Sequence, residues 1–217
     1  MKNNNILRGL CRYHFYTAQD NFILYLCLSV IALLAVTIFD QYRSAITMII
    51  VFLISTLPLS VLGCSQKDEM SSWNRKEASL PADRAVIVKA HYISYSIATL
   101  VACTISGLYM LLHFLLFKEV KLVSVQFGFV FVGLGFAFLS GGVTYPLIFK
   151  YNKAHEALAL TGLITSVLLY VLFASKVKEF LPNLKLKEAN MLFAGVMFIV
   201  FLVSYFVSVR IYRSREF

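Results

Sequence analysis

Histidine, serine and acidic side chains are among the groups in this 217-residue sequence that could do covalent or acid–base chemistry. A serine nucleophile needs a neighbouring base that is held in place by a third group. The long apolar stretches contain serines but no histidine at comparable depth, and the sequence has neither H-E-x-x-H nor a Cys/His cluster with zinc spacing. We therefore expect neither a hydrolytic enzyme nor a metal centre. The sequence also lacks G-x-x-x-x-G-K-[ST], so the chain cannot itself cradle ATP phosphates.

One polar segment, DEMSSWNRKEASLPADRAVIVKAHY at residues 68–92, interrupts the apolar sequence and contains the only Trp. We interpret its beginning as a short helix with Asp68 and Glu69 in the first turn, where the helix dipole favours negative charge. Met70 and Trp73 lie three apart on one face, and a large aromatic side chain is a common anchor in a protein groove. The alternative is an interfacial helix with Trp73 among lipid headgroups. Because a chain without its own energy source needs a partner, we favour docking.

The composition of the whole chain indicates a membrane protein. The chain is 59% hydrophobic and 14% charged, whereas soluble domains carry roughly 25% charged residues. Six charge-free runs of 18 to 28 residues cover 22–39, 44–66, 90–117, 122–149, 157–175 and 189–209. Since a spanning helix needs about 20 apolar residues, we predict an all-α polytopic membrane protein with six transmembrane helices. The absence of charge inside these runs disfavours an ion-coupled carrier.

The distribution of Lys and Arg predicts the orientation. Six spans place both termini on one side, and that side collects thirteen of the twenty basic residues. The positive-inside rule then places the termini and residues 68–92 in the cytoplasm. The basic residues are spread over four segments, so we expect no nucleic-acid partner.

We expect a single transmembrane domain over residues 1–217. Residues 1–20 precede the first span, and their apolar stripe of Ile6, Leu10, Tyr13 and Thr17 predicts a helix lying in the membrane interface. The alternative is a disordered basic tail.

Glycines and prolines mark the predicted spans. The fourth span is rich in glycine, which we expect to serve close helix packing. Pro58 and Pro146 each predict a kink or a helix end. His91 and His113 lie near span ends, where we expect them to be interfacial.

Two stretches carry a resemblance to a known family. Asp68-Glu69, Trp73, Ser79-Leu80-Pro81, Arg84, Ile87-Val88 and Tyr92 resemble the D-E…W…S-L-P-x-x-R…I-V…K-Y pattern of type-2 ABC exporter permeases. Residues 145–151, YPLIFKY, are similar to the P-L-x-x-K stretch that these permeases carry after the fourth span. The chain differs from the pattern at His91, where a Lys is expected, and at Asn152, where a Gly is expected. The subgroup it most resembles is the phenol-soluble modulin exporter permease of Gram-positive bacteria.

The resemblance implies that residues 66–81 form a cytoplasmic coupling helix that inserts into a cleft of an ATPase subunit. The residues implied in contact with that subunit are Asp68, Glu69, Met70 and Trp73. Leu80, Pro81 and Arg84 would set the next helix, in which Pro81 suits the first position and Asp83 the first turn. ATP and Mg would be bound by two copies of the partner subunit, and the permease would pair with a second copy or a related permease.

The resemblance also implies the function, which would be ATP-driven export of amphipathic cytolytic or antimicrobial peptides across the cell membrane. Lipid-linked glycans and hydrophobic drugs stay open as substrates. The alternative function is a non-transporting sensor, immunity or scaffold protein.

Overall fold

The protein folds as a bundle of helices. The computed structural model describes residues 2–38, 43–62, 83–117, 120–151, 156–180 and 184–214. The helices are α1 (Lys2–Ile38), α2 (Arg43–Thr56), α3 (Leu59–Leu62), α4 (Arg84–Phe117), α5 (Val120–Tyr151), α6 (Glu156–Phe180) and α7 (Leu186–Arg213). No strand occurs among the described residues, so the all-helical prediction is confirmed for them.

The helices differ in whether they can cross a membrane alone. In the part of the chain that the structure describes, four are long and apolar enough to do so, at Asn5–Ala32, Arg84–Leu115, Val125–Tyr151 and Leu186–Arg213. The described residues also contain two shorter apolar helical segments, Ile46–Leu62 and Thr161–Val177. These two lie at the lower limit of spanning length, about 17 residues. All six predicted runs therefore contain helix, and the count of six spans stays a prediction.

α5 is the central helix, and it packs most extensively along α7. Gly128, Gly135 and Gly142 are seven residues apart, so they lie on one face of α5. A Cβ atom at Gly135 would overlap the ring of Phe193 on α7, and one at Gly142 would lie 3.5 Å from the backbone of Phe201. The glycines therefore let the two helices approach closely, as their sequence predicts.

Pro146 leaves a backbone carbonyl inside this contact in need of a hydrogen-bond donor. Proline has no amide hydrogen, so the carbonyl of Gly142, four residues earlier, loses its normal helical donor. The hydroxyl of Ser204 on α7 donates to that carbonyl at 2.6 Å. Tyr92 on α4 then donates to Ser204 at 2.7 Å and lies 2.9 Å from Ser208. α5 continues beyond Pro146, so the alternative of a helix end there is wrong.

Pro58 interrupts the second apolar run, as the sequence predicts. It lies between α2 and α3, and the amide of Ser60 donates to the Leu57 carbonyl at 3.2 Å, which forms a tight turn. The run is therefore two helical pieces.

α1 is one unbroken helix of 37 residues, about 55 Å long, which exceeds a hydrocarbon core of about 30 Å. In its first half Leu10, His14 and Ala18 are buried. They pack against α4, which explains why the buried stripe departs from the predicted one after Leu10. The assignment of residues 1–20 to the membrane interface stays a prediction.

Replacing Ser204 with Ala tests the junction of α4, α5 and α7. The substitution leaves the Gly142 carbonyl without its hydroxyl donor, and we expect the free energy of unfolding to fall by about 1–3 kcal/mol. The measurement is reversible unfolding in mixed micelles. Ser175→Ala is the matched control, because this exposed hydroxyl bonds only the Leu172 carbonyl of its own helix. Equal stability of the two variants would contradict the role assigned to Ser204.

Candidate coupling site

The predicted coupling residues divide into two groups. Six of them, Asp68, Glu69, Met70, Trp73, Leu80 and Pro81, lie outside the described residues. Their contact with an ATPase subunit stays a prediction. Arg84 is described, and it is the first residue of α4.

Arg84 fastens the beginning of α4 to the end of α7. Its Nη1 atom donates to the carbonyl of Arg213 at 3.0 Å and approaches that of Tyr212 at 3.4 Å. The last carbonyls of a helix have no helical donor and carry partial negative charge, so a guanidinium satisfies them in both respects. We call the end of the bundle that holds these residues the Arg84 end.

Asp83 supports the same contact from the other side. Its Oδ1 atom accepts a hydrogen bond from the amide of Ala85 at 3.1 Å, so Asp83 caps α4 and does not lie in its first turn. Its carboxylate also pairs with Arg213 at 3.1 Å. Both side chains of this ion pair are exposed, and such pairs contribute little stability by themselves. The pair connects the beginning of α4 to the end of α7.

Behind Arg84, aromatic rings connect α4, α5 and α7. Tyr212 on α7 contacts Phe149 on α5, with ring centroids 5.3 Å apart, and Phe149 contacts His91 on α4 at 5.5 Å. The hydroxyl of Tyr145 donates to the His91 carbonyl at 3.1 Å. The two sequence stretches that carry the family resemblance therefore meet at the Arg84 end, although more than 50 residues separate them.

His91 is buried among the helices of the bundle, and its position at the membrane interface stays a prediction. Its ring packs on His14 of α1 at 4.0 Å between centroids. His14 Nδ1 in turn lies 3.3 Å from the Ser94 hydroxyl, so the prediction that no histidine reaches the depth of a serine is wrong. Both His14 and Ser94 are fully buried, and the pair is a packing contact closed to a substrate.

The described residues offer no metal site, since no three His, Cys, Asp or Glu side chains among them lie close enough to hold an ion. The polar groups at the Arg84 end instead join α4 to α7 and α5 to α4 through hydrogen bonds of 3.0 to 3.4 Å.

An apolar groove opens on another side of the bundle, between α2 and α6. It has a volume of about 490 Å³, and its walls include Met48, Phe52, Phe136, Ile164 and Leu168. A second groove of about 440 Å³ lies between α1 and α2. Met48 and Phe52 line both grooves, so they form an exposed ridge between them.

Sequence reasoning missed several residues of this site, chiefly His14, Ser204, Tyr212 and Arg213. The spacing of Ser204 and Ser208, one helical turn apart in an apolar helix, is a signal that could have identified one polar face of α7. No comparable signal marks Tyr212 or Arg213, because a backbone carbonyl is the acceptor there.

Comparison with known proteins supports a transport role. Residues 9–213 match the family described as ABC-2 family transporter protein. No curated protein and no solved structure matches the chain. Because the family match covers nearly the whole sequence, the chain belongs to the ABC-2 transporter family and is a multi-pass membrane permease subunit of an ABC transporter.

Proposed function

We propose that this permease serves an ATP-driven exporter of amphipathic peptides, related to the phenol-soluble modulin exporters of Gram-positive bacteria. Two permease copies, or this chain and a related permease, would enclose the path in the cell membrane. Both termini and residues 66–81 would face the cytoplasm. Two ATPase subunits would bind ATP and Mg and receive the coupling helix through Asp68, Glu69, Met70 and Trp73.

The observation that carries the proposal is the attachment of Arg84 to the end of α7. Arg84 follows the last residue of the coupling segment 66–81 by three positions. A displacement of that segment would therefore reach α4 and α7 together. Through its glycine-lined contact with α5, α7 would transmit the displacement to that helix. α4, α5 and α7 would then tilt as one unit.

The groove between α2 and α6 supports an amphipathic substrate. Its walls are almost entirely apolar, and the hydroxyls of Ser55 and Thr56 within it already donate to the Phe52 carbonyl at 3.0 and 2.7 Å. Such a surface suits the apolar face of a helical peptide and has no charge to bind an ion. The same face of α2 would meet the path between permease copies.

ATP hydrolysis by the reconstituted transporter tests the function. The permease and an ATPase subunit encoded beside it are placed in nanodiscs, and hydrolysis is measured with and without an amphipathic helical peptide of leucine and lysine. We expect a stable complex and a peptide-dependent change in rate. A complex indifferent to peptide would contradict peptide export and point to lipids, glycans or drugs. Failure to form any complex would favour the non-transporting alternative.

Trp73→Ala and Asp68→Ala/Glu69→Ala test the coupling helix. Removing an aromatic anchor commonly costs 2 kcal/mol or more of binding, so we expect about thirtyfold weaker recovery of the ATPase subunit. The permease should still insert in the membrane, because the substituted residues lie between the apolar runs and not within them. Trp73→Phe, which keeps an apolar ring, should recover most of the binding. Normal recovery of the ATPase subunit by all these variants would exclude the assignment.

Arg84→Ala tests force transmission separately from docking. The variant loses the bonds to the α7 carbonyls, and we expect the peptide-dependent change in hydrolysis to fall several-fold while the ATPase subunit is still recovered. Arg84→Lys should restore part of it, since an ammonium keeps the charge but not the paired geometry. Lys89→Ala, an exposed position on the same helix, is the control. Full peptide response in Arg84→Ala would show that α4 and α7 need not move together.

A further inference from the structure

Gln126 is an exception among the buried polar groups of the bundle. It lies on α5 and is fully buried, yet neither its Oε1 nor its Nε2 atom has a hydrogen-bond partner among the described residues. An unpaired amide in a membrane interior is costly, because no water is available to replace the missing partner. The side chain therefore needs a polar group that the described residues do not supply.

Asn190 shows what a satisfied amide in this bundle looks like. It lies on α7 and is almost fully buried, and its Nδ2 atom donates to the Gly128 carbonyl at 3.2 Å. Its Oδ1 atom accepts from the hydroxyl of Tyr170 at 3.1 Å. A buried amide in this protein can thus be paired at both its nitrogen and its oxygen, and the state of Gln126 is specific to its position.

Tyr109 on α4 is a second exception. The hydroxyls of Tyr92, Tyr95, Tyr145 and Tyr170 all form hydrogen bonds within the bundle. The buried hydroxyl of Tyr109 has no hydrogen-bond partner among the described residues. Two unusual polar groups on adjacent helices suggest a common cause.

The two side chains lie at similar depth. α4 and α5 are neighbouring helices joined across residues 118–119, so the end of one is level with the start of the other. Gln126 lies about 9 Å from the start of α5, and Tyr109 lies about 12 Å from the end of α4, at 1.5 Å per residue. Gln126 is also one turn before Val130, which packs in the same apolar cluster as Tyr109.

The apolar runs around Tyr109 and Gln126 contain no charged residue, and the two helices pack loosely against each other there. The two apolar runs that contain Tyr109 and Gln126 include no Asp, Glu, Lys or Arg. The ring of His113, also buried, lies 6.2 Å from that of Tyr109. α5 packs closely on α7 and α2 but only lightly on α4, so the seam between α4 and α5 can part with a small loss of packing. Val125 and Phe127, the neighbours of Gln126 in the sequence, are exposed, so the buried face of α5 is narrow here.

We infer that Gln126 and Tyr109 form a polar site in the α4–α5 seam that binds an uncharged donor–acceptor group, an amide or hydroxyl, of the transported molecule. The inference rests on the proposed export function and specifies what its substrate must carry. A carboxamide offers one donor side and one acceptor side, so it complements another amide. Amphipathic helical peptides carry such groups as Asn, Gln, Ser or Thr side chains and as unpaired backbone groups at their ends. A bound water has the same hydrogen-bonding chemistry, and the experiment must separate the two.

The test compares Gln126→Leu with Asn190→Leu in the full permease–ATPase complex in nanodiscs. The probe is an amphipathic helical peptide of leucine, lysine and asparagine, and the readouts are thermal stability and the peptide concentration that gives half of the maximal change in hydrolysis. For Gln126→Leu we expect unchanged or higher stability and a half-maximal concentration raised about tenfold, the loss of one or two hydrogen bonds. Tyr109→Phe should raise the half-maximal peptide concentration about threefold. Asn190→Leu should lower stability, because it breaks a satisfied network.

Three results would overturn the inference. Loss of stability in Gln126→Leu, comparable to that in Asn190→Leu, would mean that the amide is satisfied internally, as by a bound water. Unchanged stability with an unchanged half-maximal concentration would mean that the site does not meet the peptide. A wild-type complex that ignores the peptide would overturn peptide export, and the substrate site with it. If Gln126→Leu has unchanged stability and an unchanged half-maximal concentration while the wild type responds to peptide, the export proposal still holds.

Discussion

The missing amide hydrogen of Pro146 is the constraint on which the central part of this bundle depends. In a lipid environment every backbone carbonyl needs a donor from the protein itself, and the Gly142 carbonyl has lost its own. Ser204 supplies that donor only if α7 lies close to α5 at one register, and Gly135, seven residues earlier on the same face as Gly142, leaves room for the approach. Tyr92 then joins α4 to the same point. One covalent feature of α5 thereby requires the arrangement of two other helices.

These hydrogen bonds join α4, α5 and α7 into what we call the central unit, and we call α1, α2 and α6 the periphery. The central unit is closed at the Arg84 end, where a guanidinium and a set of aromatic rings hold the three helices together. The periphery carries the exposed ridge of Met48 and Phe52 and the apolar grooves beside it. The exporter that we propose would need both parts, since force would enter through a stiff element and the substrate would meet a surface that can receive it.

The bundle holds both paired and unpaired buried polar groups. Near the Arg84 end, the hydroxyls of Tyr92 and Tyr145 form hydrogen bonds between helices. These bonds would suit this end to the proposed transmission of movement. At the opposite end, Gln126 and Tyr109 retain hydrogen-bonding capacity in a lightly packed seam. Unused capacity of this kind is useful where a partner arrives and leaves, because no internal bond has to be broken first.

The sequence by itself determined the helical class, the membrane environment and the family, because apolar runs near 20 residues and two local motifs report these properties directly. It also predicted the break at Pro58 and the packing role of the glycines, which depend on single residues. Only the tertiary structure decided that α1 continues unbroken, that His14 reaches His91, and that Arg84 binds the end of α7. Each of these contacts joins residues that are far apart in sequence, and its acceptor or ring partner has no local signature. The face that an apolar helix buries is likewise set by its neighbours, since in a uniformly apolar span every face is equally able to meet lipid.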